Sequence, residues 1–300
     1  MSHSAYDNRF GLTLLELVVV LGILAVLSTV AVRSLEPLAD QARYDYSKQL
    51  VLDLREAIAG PSRTSIARNG QSVSCFVFDT GSLPSDANDL LDRPVTIVNR
   101  STQSFDSDRD SINDVTLSSG WNGPYVTLGP GVSTIIDGWG FDPSLSESSG
   151  SLTITSYGSD GDSAGLEDGY RQDISVTILP DDYLGTVVFR LYSIDSQNGS
   201  RIDPNPSGNE QLAVLFYGVN STGLNTGAVA EQMLVVNNAG PFEYRRSNTV
   251  AGQIAARAIL WDDADSDDVL DLGETILKKS LVHYIFAQPR VETRVEMELR

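Results

Sequence analysis

Phe10-Gly11-Leu12-Thr13-Leu14-Leu15-Glu16, followed by an apolar run that lasts to Val32, is the stretch that decides how this chain is built. Residues 12–32 contain a single ionisable side chain, Glu16. As a helix they would extend roughly 31 Å at about 1.5 Å per residue, enough to span a bilayer. A carboxylate inside such a segment costs on the order of 3 kcal/mol at mid-bilayer, so Glu16 needs a partner or an interfacial place. Two plainer readings compete. A secretory signal would have a basic start, a short apolar core and a small-residue cleavage site, which Thr29 and Ala31 imitate; this run is longer and its start less basic. A simple single-span anchor would leave Glu16 snorkelling to the headgroups.

The arrangement resembles the N-terminus of type IV pilins and type II secretion pseudopilins. In that superfamily a short polar leader ends in Gly, prepilin peptidase cuts after it, and Glu is the fifth residue of the mature chain. The resemblance implies cleavage between Gly11 and Leu12, N-methylation of Leu12 and an assembly role for Glu16. Its carboxylate would neutralise the terminal amine of a neighbouring subunit as helices pack into a filament, so that each charge relieves the other's burial. Leu12 stands where the family usually has Phe or Met, and Arg9 in the leader is offset by Asp7.

Composition narrows the partners. A formal charge of -19 and a pI near 4.3 repel nucleic acid and anionic membrane surfaces, so neither is expected as a partner. Residues 106–114, 160–173 and 262–274 hold four, five and seven carboxylates, a concentration that points to divalent cations. Cys75 is the single cysteine, so no intrachain disulfide can staple an exported domain.

Beyond Val32 the helical pattern continues through Leu35, Leu38, Ala42, Tyr46, Leu50, Leu54 and Ala57, with Pro37 placed to kink it and Gly60-Pro61 to end it. Residues 60–179 read as a compact mixed domain, with a short strand at 74–78 and a short helix from 85 to 91 capped by Ser85. From Val176 onward the chain turns to strands. Val187, Phe189 and Leu191 recur at every second position, as do Leu212, Val214 and Phe216, and Ile254, Ala256, Ala258 and Leu260. In the last run Val291, Val295, Met297 and Leu299 share one face, and Glu292, Arg294, Glu296 and Glu298 the other. About seven such runs predict an antiparallel sandwich of immunoglobulin-like or transthyretin-like type.

Five fragments sharpen the resemblance: Asp79-Thr80-Gly81-Ser82-Leu83-Pro84, Gly120-Trp121-Asn122-Gly123-Pro124-Tyr125, Asp137-Gly138-Trp139-Gly140, Tyr157-Gly158-Ser159-Asp160-Gly161 and Asp173-Ile174. In this order they are similar to the G-type, or major, pseudopilin of type II secretion, over residues 9–179. The implied fold is α+β: a long N-terminal transmembrane and stalk helix packed on a small antiparallel-sheet head, then an all-β sandwich. The expected divisions are a leader at 1–11, the helix at 12–59, the head at 60–179 and the sandwich at 180–300.

The resemblance implies that the loop from Ser159 to Asp173 binds Ca²⁺, with Asp160 and Asp173 on the family's acidic positions. A second calcium loop rests on spacing alone. Asp263, Asp265, Asp267, Val269, Asp271 and Glu274 occupy the first, third, fifth, seventh, ninth and twelfth positions of an EF-hand-type loop. Asp268 replaces the sixth-position Gly, and the flanks read as strands, so this would be a calcium loop in a hairpin. A third cluster, Asp106, Asp108, Asp110 and Asp114, alternates likewise but has Leu117 where the bidentate acid belongs, and reads as a polar loop.

Nothing assembles a catalytic site. The histidines are His3, in the leader, and His283, inside a strand pattern; Cys75 sits in an apolar run, and no nucleophile-elbow sequence is present. The expectation is a non-enzymatic filament subunit, a pseudopilin or minor pilin, held in the inner membrane with its N-terminus cytoplasmic and its later domains periplasmic, or extracellular once assembled. Its expected partners are prepilin peptidase, other pilin or pseudopilin subunits and the inner-membrane assembly platform. The alternative is a filament-tip adhesin or cargo-binding module on a pilin stalk.

Overall fold

The computed structural model describes residues 14–61, 67–68, 71–72, 74–164, 168–221, 226–237, 239–240 and 242–300, with 30–35, 67–68 and 71–72 described by backbone alone. The first element, α1 (Leu14–Ala59), is a 46-residue helix that runs on through Pro37. Gly60 ends it in the left-handed conformation (φ 77°), its amide donating to the Glu56 carbonyl at 2.9 Å.

Among the described side chains of α1, those buried within the chain lie in its far half. Ser47, Leu50, Val51, Leu54, Ile58 and Ala59 form its buried face, with Tyr44 packed at the edge. The expected stripe therefore holds at Leu50 and Leu54 and fails earlier, where Leu38 and Tyr46 are 66% and 55% exposed. Leu38 lies ahead of the head, which begins at Tyr44, whereas Tyr46 lies beside the head but off the face formed by Tyr44, Ser47, Val51, Leu54 and Ile58.

After β1 (Ala67–Arg68) and β2 (Gln71–Ser72) comes a correction: the strand expected at 74–78 is a helix, α2 (Phe76–Thr80). All five of its residues are buried, and a short apolar run enclosed on every side has no period to distinguish helix from strand. Gly81 ends it at φ 78°, where a left-handed cap favours glycine. The next helix is a 3₁₀ turn, Ala87–Leu90, capped by Asp86 rather than Ser85. Asp86 accepts the Asn88 amide at 2.7 Å, and Ser85 instead donates to Asp89.

Two strands, β3 (Ser101–Phe105) and β4 (Val115–Ser119), make a hairpin, and β5 (Ser144–Ser148), β6 (Ser151–Ser156) and β7 (Ile174–Ile178) make an antiparallel sheet in that order. That sheet closes the first core, with Leu152, Ile154, Ile174 and Ile178 joining Val51, Leu54 and Ile58 of α1 and Phe76, Val77 and Phe78 of α2.

The remaining strands are β8 (Leu184–Ile194), β9 (Arg201–Ile202), β10 (Glu210–Val219), β11 (Val229–Val235), β12 (Glu243–Val250), β13 (Gly252–Asp262), β14 (Thr275–Lys279), β15 (His283–Ala287) and β16 (Glu292–Leu299). One sheet runs β11-β10-β13-β14, with β15 also on β13; the other runs β12-β8-β16, with β9 on β8. They face each other across a core of Val187, Phe189, Leu191, Leu212, Val214, Phe216, Ile254, Ala258, Met297 and their neighbours, so the alternating residues read from sequence fill it. The sandwich is not wholly antiparallel, because β16 lies parallel to β8. Val291 stays 48% exposed, ahead of the strand.

The second face of the larger sheet is covered too. Ala213, Leu215, Tyr217, Ala255, Ile259 and Trp261 pack against Val115 and Leu117 of β4 and Phe105 of β3. β10 and β13 are consequently buried on both sides, and the hairpin from residues 101–119 forms a third layer. An ion-pair joint closes the other side. Asp182 accepts Arg55 of α1 at 3.0 Å and also Arg290, which precedes β16.

Candidate assembly helix and cation loops

The N-terminal half of α1 presents its apolar side chains outward. Leu14 and Leu15 are 82% and 74% exposed, and Leu17, Val18, Val19, Leu21, Ile23, Leu24, Val26 and Leu27 are all more than half exposed. Glu16 lies in the first turn, also on the surface. Such a continuous apolar surface far exceeds what a soluble monomer leaves in water. Among the described residues no helix is long and apolar enough to cross a membrane; the side chains described end at Thr29, and the apolar run of 12–32 passes beyond them in both directions. Gly11 and Leu12 lie outside the described residues.

The five fragments that carried the resemblance do structural work around α1. Asp79 accepts Ser74 at 2.5 Å and Arg100 and Tyr125 at 3.1 Å, while its carbonyl takes the Gly120 amide, tying the first two fragments together. Burial raises the Asp79 carboxyl above its ordinary range, against the hydrogen bonds from Ser74, Tyr125 and Arg100 and the Arg100 charge. Asp137 accepts the amides of Trp139 and Phe141 and the Ser156 hydroxyl, folding a turn against the helix. Gly138 donates to Ser47 at 2.9 Å, and a Cβ there would lie 2.1 Å from the Arg43 carbonyl oxygen. Trp139 and Tyr170 both pack on Tyr44, at 6.3 and 6.0 Å between ring centres.

Asp160 and Asp173 sit at the base of one loop. Its ends are pinned where the Ser159 amide reaches the Tyr170 carbonyl at 2.8 Å, and a Cβ on Gly158 would meet the Arg171 carbonyl oxygen at 2.6 Å. Residues 165–167, including Glu167, lie outside the described residues. Among those described, Asp160 and Asp173 join no group of three converging ligand side chains.

The loop between β13 and β14 is more closed. Asp263, Asp265 and Asp267 each bring an oxygen within 4.8 Å of the others. Asp263 is 2% exposed and accepts the amides of Ser266, Asp267 and Asp268, drawing the turn around itself. Glu274 reaches back to the Ala264 amide at 3.2 Å and takes the Asp271 amide at 2.9 Å, bringing its carboxylate across the loop. Asp268 adopts φ 61°, so the non-glycine at the sixth position makes the left-handed turn that glycine would make. Val269 and Asp271 are exposed and outside the three-carboxylate group. Desolvation and the charges of Asp267, Glu274 and Asp263 push the Asp265 carboxyl upward, the electrostatic signature of crowded acids.

The loop between β3 and β4, read from sequence as merely polar, is the other place where carboxylates converge: Asp106, Asp108 and Asp110 meet by the same distance criterion. Sequence spacing revealed the alternation but not the bases that meet it. Asp108 is paired with Lys279 and, at 3.2 Å, with Arg257; Arg257 also pairs with Asp114. The remaining enzymatic candidates stay apart. Cys75 is buried in the first core, with its thiol pushed up by burial. His283 is half-buried in β15, its pKa lowered by burial.

No curated protein and no solved structure matches this chain. Residues 7–32 match the family model described as the prokaryotic N-terminal methylation motif, which indicates a pilin-like protein processed by prepilin peptidase and assembled with other subunits. The exposed apolar helix and its Glu16 thus belong to a chain that carries a prepilin signal of the type IV pilin and pseudopilin kind.

Proposed function

We propose that this chain is a structural subunit, a pseudopilin or minor pilin, of a type II secretion pseudopilus or a type IV pilus-like filament. In this reading prepilin peptidase removes residues 1–11 and Leu12 becomes the methylated N-terminus. Residues 12–32 hold the chain in the inner membrane with later residues on the periplasmic side. The assembly platform then draws α1 from lipid into a filament core, where Glu16 meets the terminal amine of a neighbour. The carrying observation is the exposed apolar surface of α1 beside that one carboxylate, within the segment that matches the methylation motif.

Residues 60–179 serve as a G-type head and 180–300 as an added sandwich of immunoglobulin-like or transthyretin-like type. Ca²⁺ at the 263–274 loop, and at the loop of Asp160 and Asp173, would neutralise acids that otherwise repel one another. The sites supply oxygen donors alone, which suits a hard cation. The role is mechanical rather than catalytic. A second reading, a filament-tip adhesin or cargo-binding module, is favoured by the sandwich itself: repeated at every helical step, it would crowd a thin filament.

Mass spectrometry of chain recovered from filaments tests the first reading. Its N-terminus is expected at methylated Leu12, and Gly11→Leu is expected to leave full-length precursor in the membrane. Assembled chain that begins at Met1 or Val32 would overturn it.

A further inference from the structure

The loop joining β3 to β4 carries an unmet electrostatic demand. Asp108 is 6% exposed, and its Oδ2 receives Lys279 and Arg257. Its Oδ1 is buried and has no hydrogen-bond partner among the described residues. Leaving a buried acceptor unmet is costly, and more so when the group is charged; such atoms in native proteins commonly mark a water or an ion. Asp106, Asp108 and Asp110 each offer a carboxylate oxygen, and the three lie within 4.8 Å of one another. Asp106 holds this shape by accepting the amides of Asp110 at 3.1 Å and Ser111 at 2.6 Å.

Charge makes the case independently of geometry. Asp106, Asp108, Asp110 and Asp114 face two bases, Arg257 and Lys279, while Arg109 is taken by Glu231 at 2.5 Å. Two negative charges are left over, the charge of one divalent cation. Among the described residues no ion pair reaches the carboxylates of Asp106 or Asp110, and both bases sit on the Oδ2 side of Asp108. The donors are all oxygen, with no His or Cys in the group. Asp110 is exposed, so water can complete a coordination sphere of six to eight.

We propose that Asp106, Asp108 and Asp110 bind one calcium ion, which fastens the β3–β4 hairpin to the larger sheet through the pairs that Asp108 and Asp114 make with Arg257 and Lys279. The ion would lie where the third layer meets the sandwich, on carboxylates other than those of the 263–274 loop, and the proposal does not depend on the filament reading.

Equilibrium dialysis against ⁴⁵Ca²⁺, on the full chain in detergent, tests it with two double variants. Asp106→Asn with Asp110→Asn keeps the amide-accepting oxygens and should bind one calcium fewer than the parent. Asp265→Asn with Asp267→Asn should retain that calcium. If the first variant melts like the parent in EDTA yet binds as much calcium, the cluster is an ion-pair network and the proposal fails. Hydrogen exchange on the parent needs no substitution: saturating calcium should slow the amides of residues 107–112 at least tenfold. Unchanged exchange there would equally overturn the site.

Discussion

The two halves of α1 share one backbone geometry and opposite circumstances. Around Leu54 the helix is 0% exposed on its inner face, because the β5-β6-β7 sheet and α2 close over it. Around Leu21, which is 57% exposed, nothing among the described residues covers an equally apolar surface. At about 25 cal/mol per Å² of apolar area, the first half has its stabilisation inside the molecule and the second must obtain it from lipid or another subunit. The same division would separate the β-sandwich core from the acidic loops, which under the calcium proposal are complete only with an added charge.

The largest effect should come from the half that depends on partners. Glu16→Val removes the one carboxylate in the apolar run without touching the head, so insertion, cleavage and the head's melting should be unchanged while filament incorporation is abolished. Normal incorporation of the valine variant, measured in purified filaments, would break the comparison. Next, Leu54→Ala should destabilise the head by about 3 kcal/mol through a cavity that α1 and the sheet cannot close. Leu21→Ala should change melting in detergent by less than about 0.5 kcal/mol. Equal shifts would mean that the two halves are not distinct environments.

The loops give the third test. Calcium at 100 times its Kd adds about 2.7 kcal/mol to a form that alone binds it, so the parent should melt several degrees higher in calcium than in EDTA. Asp265→Asn with Asp267→Asn should narrow that gap, and a parent indifferent to calcium would show the loops to be complete as they stand. The smallest effect belongs to His283, whose folded pKa lies below its ordinary 6.5 because burial disfavours the charged ring. The unfolded chain then binds more protons between the two values. Stability contributed by the neutral ring is therefore full above pH 6.5 and declines as pH falls toward the folded pKa. His283→Gln should flatten that slope in denaturant titrations across this window, and an unaltered slope would assign it to other groups.

Periodicity made the helix and the sandwich legible, since Leu50 and Leu54 recur at helical spacing and Val187, Phe189 and Leu191 alternate into one core. It misplaced Leu38 because a stripe does not show where along the helix burial begins, and Tyr46 because that residue sits off the face of Ser47, Val51, Leu54 and Ile58. It took 74–78 for a strand because Phe76, Val77 and Phe78 are all buried, and a fully enclosed turn leaves no polar side to reveal its period. The double burial of β10 and β13 was hidden for a related reason: the cover comes from Val115 and Leu117, far away in sequence. The convergence of Asp263, Asp265 and Asp267 was readable because the three lie close together in sequence. The 106–110 cluster read as a polar loop because Leu117 stands where the bidentate acid belongs, and the bases that meet it, Arg257 and Lys279, lie on distant strands.

The hairpin layer has a consequence for how such a chain can be made and divided. Asp114 and Arg257 stand 143 residues apart in sequence, so a nascent chain delivered from its N-terminus must hold Phe105, Val115 and Leu117 without their permanent cover until β13 arrives. Contacts of that separation form late and slowly. A cut near residue 180, the tidy seam suggested by sequence, would strip the hairpin of its apolar neighbours and uncover Tyr217 and Trp261 on the other fragment. Neither piece is a cassette that can be grafted onto another stalk unchanged, and a shuffling event that added residues 180–300 to a smaller ancestor would have had to recruit residues 101–119 with them.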